Sequence, residues 1–131
     1  MSSRPNVLFI TLDQFRGDAL SCADHFIVKT PNLDELAQSG VRFSRHYTQS
    51  TPCAPGRAGL YTGMYQMNHR VVANGTPLDN RFDNVARLAQ RSGYQGKLFG
   101  YTDQSIDPRM TVSPDDPRLQ TYEEILPGFE W

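Results

Sequence analysis

Cys53, Pro55 and Arg57 stand at i, i+2 and i+4, and Leu60-Tyr61-Thr62-Gly63 closes the stretch. Proline suits a first helical turn and glycine the position just past a last one. Residues 55–62 therefore predict a helix that starts just after Cys53 and ends at Gly63. A helix N-terminus attracts a tetrahedral anion through its unpaired N–H groups, and Arg57 one turn in adds a guanidinium suited to oxyanions. Alone, Arg57 would read as a surface arginine. The thiol alone has two readings: a small buried hydrophobe, or a thiolate nucleophile whose pKa the helix terminus lowers. Neither accounts for proline and arginine at these fixed offsets. Asp13-Gln14 directly follows the apolar run at residues 7–12. Oxygen donors at the carboxyl end of a strand suit Ca²⁺, Mg²⁺ or Mn²⁺ better than a thiol-seeking metal. The plainer reading of the pair is a polar turn or a helix cap. Asn74-Gly75 is a turn signal. His25, His46 and His69 are not spaced as a metal cluster, and Cys22 reads as a buried thiol.

Positioning these groups requires a frame. Residues 7–12 form a continuous apolar and β-branched run, the pattern of a strand buried on both faces of a parallel sheet. Residues 30–40 predict a helix with Thr30 as N-cap, Pro31 at the first position, acids in the first turn and Gly40 at its end. Residues 41–47 alternate as a strand. Residues 84–90 place Val85, Leu88 and Ala89 at i, i+3 and i+4 of a helix ending near Gly93. Residues 94–101 return to strand, weakened by Gly96 and Gly100. The order β-α-β-α-α-β argues for an α/β fold, a mainly parallel sheet flanked by helices. From Thr102 onward Pro108, Pro114, Pro117 and Pro127 predict an irregular tail over 102–131.

Composition excludes several classes. Thirteen basic and fourteen acidic residues give a net charge of −1, with no footprint for nucleic acid. The longest apolar run is far too short to span a bilayer. The first residues carry no charged segment followed by a long apolar core, and two cysteines make no disulfide framework, so a cytoplasmic protein is expected. The chain of 131 residues can bury a modest core. Its apolar, aromatic end at 126–131 reads as the edge of a truncated chain.

Taken in order, the Cys53 motif, the upstream Asp13-Gln14, and the downstream Asn74 and Gly100-Tyr101 resemble the type I sulfatases of the alkaline phosphatase superfamily. Asp13-Gln14, Met67-Asn68-His69-Arg70 and Tyr101 are similar to the phosphonate monoester hydrolase branch. Many sulfatases have a second Asp in place of Gln14, and most have a Lys in place of Tyr101 and a His in place of Asp103. Gly56 is a further departure from the usual Ser or Ala. The resemblance covers nearly all of this chain but only the N-terminal part of the family's catalytic domain. It implies an alkaline-phosphatase-like fold, and a Cys53 converted to formylglycine by a formylglycine-generating enzyme. The hydrated aldehyde attacks sulfur or phosphorus with one hydroxyl, and the other expels the ester as the aldehyde reforms. By the same resemblance Cys53, Arg57 and Tyr101 are catalytic and Asn74 and Thr102 contact substrate. Asp13, Gln14 and the modified Cys53 hold a Ca²⁺, Mn²⁺ or Mg²⁺ ion. The substrate is a small anionic ester, and oligomerisation is left open. The family completes its metal shell from residues later than any found here. The alternative expectation is therefore a truncated, non-catalytic piece that serves only as a folding or interaction module.

Overall fold

The computed structural model describes residues 4–119 and 126–129. Glu130 and Trp131, on which the truncated-end expectation partly rests, lie outside the described residues, as does the 120–125 part of the expected tail. The chain divides into two compact units, Met1–His46 and Tyr47–Trp131.

In the first unit residues 4–12 run to a turn at Asp13 and Gln14, where Gln14 adopts φ 54°. A 3-10 turn at Ser21–Ala23 precedes helix α1, Pro31–Ser39. The two are joined by a polar staple. Asp34 accepts hydrogen bonds from the Cys22 N–H (3.0 Å), the Thr30 hydroxyl (3.0 Å) and the Ser21 hydroxyl. These donors, the Ser21 hydroxyl foremost, hold the Asp34 carboxyl below its ordinary value. Thr30 is the N-cap residue, but its hydroxyl serves this staple and makes no capping bond.

The second unit is built on α2, Cys53–Thr62. It packs against α3, Gln66–His69, and α4, Val85–Arg91. Ala54 and Ala58 meet Val71 and Leu78 in one small core, while Tyr61 meets Ala86 and Leu126 in another. Gly63 ends α2 as the sequence predicts: at φ 69° its N–H reaches the Gly59 carbonyl at 2.8 Å. Gly56 has a packing reason that sequence could not show. A Cβ there would come within 2.9 Å of the Ser50 carbonyl oxygen, so glycine lets the 48–50 segment lie against the helix. Asn84 caps α4 by accepting from the N–H groups of Ala86 and Arg87, at 2.9 and 3.0 Å. His69 is buried, and its Nδ1 accepts the Val71 N–H at 3.1 Å. Burial pushes its pKa down, so the neutral ring orders this turn.

The sheet is where the structure departs from expectation. The segments 7–12, 41–47 and 94–101 form no strand ladder among the described residues, and Lys97 and Tyr101 are isolated bridge positions. A strand exists only through a partner's hydrogen bonds, whatever its own propensity. The expected sheet residues are open: Leu8 is 85% exposed and Phe43 76%. Burying one such side chain is worth about 1.5–3 kcal/mol, a demand these segments leave unmet. Among the described residues no helix is long and apolar enough to cross a membrane.

Beyond residue 102 the chain is irregular, with 3-10 turns at Pro108–Met110 and Pro117–Leu119. It is tied down by Asp107, which is 6% exposed. Asp107 accepts from the Arg109 guanidinium at 2.6 and 2.9 Å and from the N–H groups of Asn80 and Arg109, both at 3.0 Å. The Arg109 contacts, seconded by the two N–H groups, hold its carboxyl far below the carboxylate range. Because the folded value is depressed, this contribution to stability is present above an unfolded value of about 3.9 and is lost as pH falls towards the folded one. Melting temperature should therefore drop between about pH 4 and pH 2, and Asp107→Asn should flatten that slope. An equal slope in the variant would remove Asp107 from the account.

Candidate active site

Cys53 is the first residue of α2, preceded by Pro52 at the N-cap. The residue after it is held at both ends of its backbone by side-chain amides. Asn74 Oδ1 accepts the Ala54 N–H at 2.9 Å, and Gln104 Nε2 donates to the Ala54 carbonyl at 3.0 Å. Ala54 is fully buried and Gln104 1% exposed, so each lost bond would leave a buried polar group costing about 1–3 kcal/mol. The helix start that carries Cys53 is thus clamped from two distant points of the chain. Asn74 does form the turn its sequence suggests, with the Thr76 N–H on the Ala73 carbonyl and Gly75 at φ 80°. That turn aims its side chain at α2.

Arg57 lies one turn below Cys53 with only 11% of its side chain exposed, so it is no surface arginine. Its Nε stands 3.5 Å from Asp103 Oδ2, and its Nη1 donates to the Tyr101 carbonyl at 3.3 Å and the Tyr61 hydroxyl at 3.4 Å. The guanidinium also lies over the Tyr101 ring, 4.8 Å from its centre. A planar cation with a fork of donors can meet a carboxylate, a carbonyl and a ring face together, and an ammonium cannot. The Tyr61 hydroxyl in turn donates to the Thr102 carbonyl at 3.4 Å. Burial pushes its phenol pKa up against the opposing pull of Arg57, so it stays a donor.

Thr102 is fully buried and its hydroxyl accepts the Gln104 N–H at 3.3 Å. The next residue, Asp103, is the one brought to Cys53. One of its carboxylate oxygens lies within 4.8 Å of Cys53 Sγ. Sequence reasoning gave Asp103 no role. Its signal lies in the backbone, since φ 55° is a left-handed conformation that Asp and Asn adopt more readily than most residues. Gln104 was also missed, and its position 50 residues from Ala54 leaves no local pattern to find it by. Tyr101, Arg57, Asn74 and Cys53 are gathered in the second unit. Asp13 and Gln14 belong to the first, in the exposed turn that follows residues 4–12.

Residues 5–127 match the family model described as Sulfatase. The chain is 43% identical to a multifunctional alkaline phosphatase superfamily protein, PehA, of Trinickia caryophylli, over 97% of this chain and 26% of that protein. The crystal structure of the phosphonate monoester hydrolase of Agrobacterium radiobacter superposes with a TM-score of 0.90 at 61% identity, covering 97% of this chain and 25% of the other. The phosphonate monoester hydrolase SpPMH from Silicibacter pomeroyi gives a TM-score of 0.88 at 50% identity, with the same coverage. The chain therefore spans about a quarter of the length of the relatives it matches. With a family match over nearly its whole length, it belongs to the Sulfatase family.

Proposed function

We propose that this chain carries the nucleophile half of a metal-dependent hydrolase of sulfate esters, phosphonate monoesters or phosphate diesters. The observation that carries this reading is Cys53 at the first position of α2, with Arg57, Tyr101 and Asp103 assembled beside it. The names of its relatives support the reaction class: one is a multifunctional alkaline phosphatase superfamily protein and two are phosphonate monoester hydrolases. A formylglycine-generating enzyme would act on Cys53, and the resulting hydrated aldehyde would supply the attacking hydroxyl. Arg57, fixed by its contacts before any substrate arrives, orients the anionic oxygens and stabilises developing charge. Tyr101 contributes a phenol to the leaving or equatorial oxygen. Asn74 and the buried Thr102 frame the anion's place, Asn74 by bracing the start of α2. Asp13 and Gln14 offer hard oxygen donors. That set fits Ca²⁺, Mg²⁺ or Mn²⁺ once residue 53 presents oxygen in place of sulfur.

In this reading the chain is the N-terminal part of a longer catalytic domain. The segments 7–12, 41–47 and 94–101 are strands of a mainly parallel sheet, and their exposed apolar side chains await the rest of that domain. The same exposure favours a second reading for the piece taken alone, a folding module without turnover. Both cysteines are free thiols, which accords with a cytoplasmic setting.

Gln14 and Tyr101 stand where many sulfatases place a negative and a positive residue, which rebalances the pocket. The whole protein should therefore turn over aryl phenylphosphonate and a phosphate diester alongside aryl sulfate, and lose all three activities on chelation. Exclusive sulfate-monoester turnover, unaltered by Tyr101→Lys, would contradict this assignment.

A further inference from the structure

Asp103 puts a negative charge beside a nucleophile meant for anions, and the hydrolase reading gives it no chemical role. Three observations converge on it. Its carboxylate lies within 4.8 Å of Cys53 Sγ. It stands 3.5 Å from Arg57 Nε, the two side chains being 16% and 11% exposed. Its backbone is held at φ 55°, between the buried Thr102 and Gln104, so the side chain is aimed by its neighbours. A carboxylate placed there offsets the cation that would otherwise dominate the nucleophile's surroundings. It also repels any incoming group in proportion to that group's negative charge.

We infer that Asp103 is a specificity-determining residue that selects by charge. It disfavours dianions at position 53 and leaves tetrahedral esters of single negative charge as the accepted class. This rests on the proposed hydrolase reading for its substrates, but its electrostatic core can be read without turnover. A phosphate monoester carries two charges near pH 8, whereas a sulfate monoester, a phosphonate monoester and a phosphate diester each carry one. Arg57 screens part of the repulsion, so the discrimination per added charge is on the order of tenfold, at the dielectric proper to a partly exposed pair.

The test uses the whole protein in three forms, wild type, Asp103→Asn and Asp103→Gly. Asparagine keeps the size of the side chain and tolerates the left-handed backbone, and Asp103→Gly provides a second variant suited to the same φ. In the first arm Cys53 is left unconverted, by expression without the formylglycine-generating enzyme. It is alkylated in EDTA by iodoacetate or by iodoacetamide, and the modification is read by peptide mapping. In both reactions the thiolate sulfur forms a bond to carbon and iodide leaves. Changes in the thiolate fraction therefore cancel in the ratio of the two rates, and the charge of the reagent alone remains. Both variants should raise the iodoacetate to iodoacetamide ratio about tenfold. In the second arm the converted enzyme is assayed on an aryl phosphate and an aryl phenylphosphonate. There Asp103→Asn should raise relative kcat/KM for the dianion by a similar factor. An unchanged alkylation ratio, or an unchanged substrate ratio in an active enzyme, overturns the role of Asp103. A raised alkylation ratio in a protein that hydrolyses none of these esters retains the charge effect at Cys53 and overturns the hydrolase reading instead.

Discussion

Replacing Cys53 with alanine in the whole protein is expected to lower kcat by three orders of magnitude or more, the scale on which removal of a covalent nucleophile acts. The fold should tolerate it. Cys53 is half-buried, and the helix start it occupies is held by Asn74 and Gln104 through Ala54, bonds that alanine at position 53 leaves in place. Unfolding midpoints of the two proteins should agree closely while the rates diverge. The equivalent change at Cys22 should leave the rate alone, since only Cys53 has proline and arginine at the second and fourth positions beyond it. Activity that survived in Cys53→Ala would refute the assignment of the nucleophile.

Arg57→Ala should be costly in both rate and stability. Loss of one preorganised cation aimed at developing negative charge typically costs about 10²–10³ in kcat. The variant also leaves Asp103 without its cation and the Tyr101 carbonyl and ring face without their guanidinium. The pair is mostly but not wholly covered, so the stability loss should be on the order of 2 kcal/mol, below that of a fully buried pair. Arg57→Lys should recover little of either, because one ammonium cannot meet the carboxylate, the carbonyl and the ring together. Denaturant midpoints and kcat for the two variants check this. A lysine variant with near-wild-type values of both would show that only the charge matters.

The helices were largely legible because their ends carry local chemistry. Gly63 past α2 and Pro31 at the start of α1 each mark a boundary with a residue whose backbone suits that position, while α4 is legible from its apolar period and its cap, Asn84, is shown by the structure. Thr30 shows the limit of such reasoning, since its hydroxyl was drawn into the Asp34 staple by a partner nine residues away, Ser21. The four-residue α3 has no apolar period to announce it. It is held by its own backbone and by Gln49, whose Oε1 accepts the Gln66 N–H at 3.0 Å. Strand propensity in residues 7–12 was evident, but a ladder is a property of two segments, and none forms among the described residues. The site follows the same division. Cys53 and Arg57 are four apart on one helix and could be paired from spacing. Asp103 meets Arg57 across 46 residues of chain, through a left-handed backbone that no motif encodes.

The central claim is that Cys53 is the residue converted to the nucleophile. Peptide mapping by mass spectrometry, on the whole protein produced with a formylglycine-generating enzyme, tests it most directly. The account predicts that the peptide containing Cys53 loses the mass of one sulfur exchanged for oxygen together with two hydrogens, and reacts with an aldehyde-specific hydrazide. The peptide containing Cys22 should keep a free thiol. An aldehyde at Cys22, or an active enzyme whose Cys53 is wholly unconverted, would contradict it.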